Sequence, residues 1–290
     1  MTPYDLLLAP FVDYAFMRRA LAGSLAISIS AAPVGVFLML RRMSLIGDAM
    51  AHAILPGAAI GFLLFGLSIV PMTIGGIIAG LVVALSAGLV ARTTALQEDA
   101  SLAAFYLISL ALGVLIVSAK GSSVDLMHVL FGTVLALDDP ALLFLGAAAT
   151  TSLIILALVF RPLIAECVDP SFLSVARGPG AIAHFAFLVL VVLNLVAGFQ
   201  ALGTLLAVGI MMLPAAAARF WSRDLDTLLL AAIAIAIASS ISGLLVSYHL
   251  SLASGPSIIM SAGVIYFVSL LVGPVSGVIW NFMPQRHRSA

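Results

Sequence analysis

The chain has 290 residues, 63% of them hydrophobic and 8% charged, with a mean hydropathy of +1.28. Soluble domains are about a quarter charged, and here twelve basic and twelve acidic residues cancel to a formal net charge of +0, which excludes both a water-clothed globule and a basic nucleic-acid face. The single cysteine, Cys167, excludes an internal disulfide framework and a cysteine-based zinc knuckle, leaving a polytopic membrane protein as the class. Residues 1–17, with Asp5 and Asp13, predict a short amphipathic helix lying at the membrane interface. They are not a secretory signal, because the first positive charges, Arg18 and Arg19, follow the early apolar stretch instead of preceding it. A bilayer-crossing helix takes about 20 apolar residues. The apolar runs between charges and Pro/Gly clusters predict spans at 20–40, 45–65, 72–91, 100–117, 141–160, 181–197, 202–218, 228–246 and 258–279. Residues 126–137 are too short to cross, and they predict a re-entrant or interfacial piece buried against protein, since unpaired backbone cannot face lipid. The expected fold is therefore an all-α membrane bundle of about eight to nine transmembrane helices, with 1–290 forming one membrane-embedded domain.

Positive charges test this partition. With alternating sides, one face receives Arg41, Arg42, Arg92, Arg161, Arg177, Arg219, Arg223, Arg286 and Arg288, and the other only Arg18, Arg19 and Lys120. That asymmetry puts the first face in the cytoplasm, the C-terminus inside and the N-terminus outside. The longest cytoplasmic connection then runs over 161–180, with a helix-compatible stretch at 171–176 stopped by Gly-Pro-Gly. Its composition suits a docking surface for a soluble partner and equally an ordinary polar loop. The lone lysine, Lys120, precedes Gly121, so no phosphate-cradling G-x-x-x-x-G-K-[ST] loop exists in this chain. No histidine is followed by glutamate, which removes an H-E-x-x-H metalloprotease helix.

The polar exceptions inside apolar runs carry the functional information. In LRRMSLIGDAMAHAILPGAAIGFLL, His52 follows Asp48 by four residues, so on a helix the two share a face. A carboxylate and an imidazole placed so can bind one divalent first-row cation. Gly47 and Gly57 bracket the pair, and Pro56 removes the donor that the His52 carbonyl would use. A carboxylate at membrane depth costs at least about 2.5–3.5 kcal/mol and faces a cavity or partner. Capping or snorkelling for Asp48, and hydrogen-bonded packing for His52, stay open on spacing alone. His128, His249, His184 and His287 read as interface histidines, Met211 and Met212 as core fillers, and Pro214 as a helix kink.

RRMSLIGDAMAHAILPGAAIGF resembles the arginine-rich turn and G-D-x-x-x-H-x-x-x-x-G helix of the permease subunits of ABC-type zinc and manganese importers. EDASLAAFYLISLALGVLIVS, DLMHVLFGTVLAL, ALGTLLAVGIMMLPAAAAR and SYHLSLASGPSIIM agree in the same order. The resemblance implies a type II ABC importer-like, homodimeric pore with no tightly bound cofactor. It implies a separate ATPase subunit holding the ATP and an extracytoplasmic metal-binding protein that delivers the ion. It further implies that Asp48 and His52 touch the cation. DPSFLSVARG, with Asp169, Pro170, Ser171, Phe172, Ala176 and Gly178, becomes the segment that seats in the ATPase. One departure stands out: Ser251 and Ala253 occupy positions where the family shows an aspartate and a proline, and His249 (with His128 a further candidate) is a possible substitute ligand. Zinc is the favoured cargo because imidazole is a common zinc ligand, with manganese or iron as the alternative. An ion-coupled secondary transporter is a rival, but it needs intramembrane carboxylates on several helices, and Asp48 is the one clear candidate. An intramembrane hydrolase needs a nucleophile and base, and no serine–histidine arrangement is marked.

Overall fold

Backbone amides in an apolar layer must be satisfied within their own segment, so apolar runs of this length fold as helices. The computed structural model describes residues 3–43, 46–66, 68–119, 137–168, 180–275 and 277–279. In chain order these form α1 (Pro3–Leu7), α2 (Ala9–Asp13), α3 (Ala15–Leu40), α4 (Ile46–Ala53), α5 (Leu55–Phe65) and α6 (Ile69–Thr93). There follow α7 (Glu98–Ala119), α8 (Asp139–Val168), α9 (Gly180–Leu202), α10 (Thr204–Ala218), α11 (Leu225–Leu250) and α12 (Ser254–Val272). Among the described residues eight spans are long and apolar enough to cross a membrane, with α4 and α5 forming one of them; α10 is shorter. At about 1.5 Å per residue its 15 residues reach about 22 Å, short of a ~30 Å hydrocarbon layer.

Each of the nine expected spans is helical, but several boundaries move. The N-terminal segment is two short helices and not one of seventeen residues: Pro10 restarts the helix, extended Tyr14 ends it, and Ala15–Met17 belong to α3. The span at 45–65 breaks at Ile54, just before Pro56. Helix α8 runs through Pro162 to Val168, so the long connection starts after 168 and not at Arg161; proline's fixed φ is helical, and its cost is one lost backbone bond. The last span stops at Val272, where Gly273-Pro274 cannot continue it. The short segment with His128, the 169–179 connection with Asp169, Pro170, Ser171, Phe172, Ala176 and Gly178, and the tail with His287 lie outside the described residues.

Helices α3 and α9 are the most buried spans and form the centre of the bundle. Phe37 of α3 meets Phe160 of α8 and Phe187 of α9 edge-on, at ring separations of 5.9 and 6.4 Å. Hydroxyls inside this apolar packing bond back one turn, as Ser28 does to the Ser24 carbonyl (2.6 Å) and Ser239 to that of Ile235 (2.7 Å). Ser28 also meets Ser240 at 3.1 Å, tying α3 to α11. Gly203, with φ +94°, makes the corner between α9 and α10 in a conformation open to glycine.

Contacts between helix ends define two poles. Arg41, Glu98 and His184 are joined at one of them, as are Arg92 and Glu166, and a cavity lined by Met39, Leu40, Arg219 and Arg223 brings the end of α10 to the same side. At the other pole Arg19 pairs with Asp139 (2.7 Å), and Tyr14 packs on Tyr248. Successive spans therefore alternate in direction, as the charge tally requires.

Candidate functional site

Asp48 occupies the first turn of α4, where the helix dipole favours a carboxylate, and His52 lies one turn further along. Their side chains are 78% and 45% exposed, whereas Ile46, Gly47, Ala49, Met50, Ala51 and Ala53 of the same helix are buried. The pair thus faces away from its own chain's core. His52 Nε2 lies 4.0 Å from Asp48 Oδ1. Two metal–ligand bonds of about 2.1 Å span at most about 4.2 Å, so a cation fits between these atoms in a wide arrangement, and a small rotation of either exposed side chain closes the angle. No group of three or more His, Cys, Asp or Glu side chains able to hold a metal occurs among the described residues. Asp48 and His52 are thus two ligand-type side chains on one helical face.

The neighbours that orient this pair were not evident in the sequence. His52 stacks on Tyr106 of α7, with ring centres 6.5 Å apart and planes 30° from parallel. Beside Ile54, Ser109 of α7 donates to the Ala53 carbonyl at 2.9 Å, tying α7 to the end of α4. On the other side Gly47 packs against Val208 and Met211 of α10. Tyr106 and Ser109 lie in EDASLAAFYLISLALGVLIVS, three residues apart, so the available signal was two polar residues on one face of an apolar helix. Met211 is fully buried, as a core filler should be.

His249 stands at the pole opposite Arg41, on the last turn of α11, with its Nε2 2.9 Å from the Leu6 carbonyl and its ring edge-on to Tyr248. The adjacent Ser251 caps α11 in the left-handed region, φ 53° and ψ 39°. Aspartate adopts that conformation more readily than serine. Because its ring nitrogen already serves the N-terminal helices, His249→Ala is expected to leave metal uptake within about twofold of wild type. Uptake in reconstituted vesicles checks this; a tenfold loss in a correctly folded variant makes His249 part of the ion path. His184 is buried, at 2% exposure, against Arg41 and Glu98. A guanidinium only donates, so His184 Nδ1 accepts and its proton sits on Nε2, which removes this ring as a metal ligand.

The profile of the ABC 3 transport family matches residues 13–273. This chain belongs to the ABC 3 transport family. It is 33% identical over 272 residues to the manganese import system permease protein ScaB of Streptococcus parasanguinis, covering 92% of this chain and 96% of that one. Identity to the chelated iron transport system membrane protein YfeD of Yersinia pestis is 27% over 275 residues, covering 95% and 91%. Its fold superimposes on PsaBC from Streptococcus pneumoniae, solved in complex with Fab, with a TM-score of 0.78 at 30% identity, covering 92% of this chain and 97% of that one. The chain is accordingly a multi-pass permease subunit of a metal ABC transporter with the fold of importer permeases, and ATP hydrolysis belongs to a separate ATPase subunit.

Proposed function

We propose that this chain is the translocation subunit of an ATP-driven importer whose cargo is divalent manganese or iron, with Asp48 and His52 as its ion contacts. The observation that carries the reading is a carboxylate and an imidazole on one exposed face of an otherwise buried apolar helix. Such a face is costly against lipid, so it belongs to a water-filled path or to a second chain. A second copy related by a two-fold axis sets the same pair opposite the first and encloses the path. The ion is held by few ligands and leaves readily, as transport requires.

Manganese and iron take precedence over zinc because relatives across nearly the whole chain carry those metals in their names. Zinc, favoured by imidazole preference, finds no support in those names. An oxygen donor beside one imidazole, with no thiolate, suits manganese and ferrous iron. The arginine-rich pole is assigned to the cytoplasm, the N-terminus to the outside and the C-terminus to the inside of the inner membrane. An extracytoplasmic binding protein delivers the ion at the far pole. The connection bearing Asp169, Pro170, Ser171, Phe172, Ala176 and Gly178 meets the ATPase.

The test is uptake of radiolabelled manganese by the reconstituted complex, in competition with unlabelled manganese, ferrous iron and zinc. Manganese or ferrous iron should displace the label at concentrations at least about tenfold below zinc, a difference of about 1.4 kcal/mol. Zinc as the strongest competitor and the fastest cargo overturns the choice of metal.

A further inference from the structure

Two partly buried charge clusters lie at the arginine-rich pole, one joining the ends of α3, α7 and α9 and the other those of α6, α8 and α9, and neither is used by the ion contacts. Arg41 caps α3 with its side chain 9% exposed, its guanidinium over the Phe187 ring at 5.2 Å. One of its Nη atoms lies 2.5 Å from His184 Nδ1 and 3.6 Å from Glu98 Oε2. Beside it Arg92, from the last turn of α6, pairs with Glu166 near the end of α8 and reaches the Gly180 carbonyl at the start of α9 (3.5 Å). Arg92 therefore holds both helix ends that flank the 169–179 connection.

The network is incompletely satisfied. His184 Nε2 approaches Glu98 Oε1 at 3.2 Å without hydrogen-bond alignment, and among the described residues these two buried atoms and Arg41 Nη1 have no hydrogen-bond partner. Buried polar atoms in that condition raise the energy of an arrangement. Arg41 leads directly into the turn before α4, seven residues ahead of Asp48.

We propose that Arg41, Glu98, His184, Arg92 and Glu166 form a charge latch that transmits displacement of the α8 and α9 ends to α4, and so to the orientation of Asp48 and His52. These are positioning residues, and the inference rests on the reading that Asp48 and His52 contact the ion and that the 169–179 connection meets the ATPase. With the latch intact, α8, α9 and the α3–α4 turn move together. With it broken, the ATPase cycles while α4 stays in place.

The test uses the full complex of permease, ATPase and binding protein in vesicles, with manganese as probe and uptake and ATP hydrolysis measured together. Glu98→Gln and Arg92→Gln should each raise ATP consumed per ion by roughly tenfold, within the range of ordinary coupling energies. Manganese affinity without nucleotide, followed by the ion's EPR signal, should stay within about twofold. The reversed pair Arg92→Glu with Glu166→Arg should restore the ratio to within about threefold of wild type. An unchanged ratio, with uptake and hydrolysis falling in step, overturns the latch, and so does a reversed pair no better than the single variants. Failure of every variant, reversed pair included, to co-purify with the ATPase assigns the network to folding and also overturns it. Asp48→Asn in the same vesicles separates the two readings: normal uptake there removes the ion contact whatever the latch variants do.

Discussion

Asp48→Ala and His52→Ala are each expected to lower metal uptake by at least tenfold, while the complex still assembles and binds ATP. Changing a residue that merely supports a metal ligand costs about 10–100-fold in affinity or activity, and these side chains are the proposed ligands themselves. Stability should change little, because both side chains are exposed on the chain's own surface and neither fills its core. Asp48→Asn should resemble the alanine variant: the amide keeps the volume and the first-turn position but loses the charge that replaces part of the ion's hydration shell. Asp48 at a helix N-terminus also has a purely structural reading, as a dipole-compensating carboxylate. The two readings separate cleanly. A structural role lowers the melting temperature and spares uptake, and a transport role does the reverse. Normal uptake in both alanine variants eliminates the assigned site and leaves the permease assignment untouched.

The second large effect lies where α5 crosses α6. A Cβ placed on Gly57 would stand 1.9 Å from the Gly75 carbonyl oxygen, and one on Gly75 would stand 2.1 Å from that of Gly57. The two backbones touch directly, the close approach that small residues permit between membrane helices. Gly57→Ala must push α5 off α6 by about 1 Å, since real Cβ atoms essentially never come within 3.0 Å of another atom. The expected loss is about 1–3 kcal/mol, the usual range for overpacking. Uptake should fall as well, because α5 continues through the Ile54 break into α4, which carries Asp48 and His52. Thermal unfolding in detergent measures the first effect. Gly146→Ala serves as control, because among the described residues no atom outside its own helical turn lies within 4 Å of a Cβ there, and it should melt at or slightly above wild type. A Gly57→Ala melt equal to wild type removes the tight crossing as a structural requirement.

Much of the site was legible locally. The Asp48–His52 spacing is a property of one helical turn, so a helix in an apolar span places both side chains on one face whatever surrounds it. Tyr106 and Ser109 were not legible, because which face of α7 meets α4 depends on the packing of several helices that are apolar around their circumference. The charge latch was still less accessible. Arg41 and His184 are 143 residues apart, and the sequence marks both only as loop-edge polar residues. The sequence also placed Arg161 at the start of a connection, because a charge after an apolar run reads as the membrane boundary. The helix continues to Val168, since nothing in the backbone chemistry of Arg161 or Pro162 forbids it.

Composition and the order of apolar runs determined the class, the all-α architecture and the alternation of its ends, because a low-dielectric layer permits only fully hydrogen-bonded segments. They also determined the acid–imidazole pair, which needs only one helical turn to exist. The bundle alone decided that this pair looks outward from α4, that Ser109 ties α7 to the end of α4, and that five helix ends meet in two neighbouring charge clusters. Those outcomes depend on which helix faces meet, and in helices apolar on every side the hydrophobic pattern leaves rotation about the axis undetermined. Close glycine contacts and the pairing of rare charges, read only in three dimensions, set it.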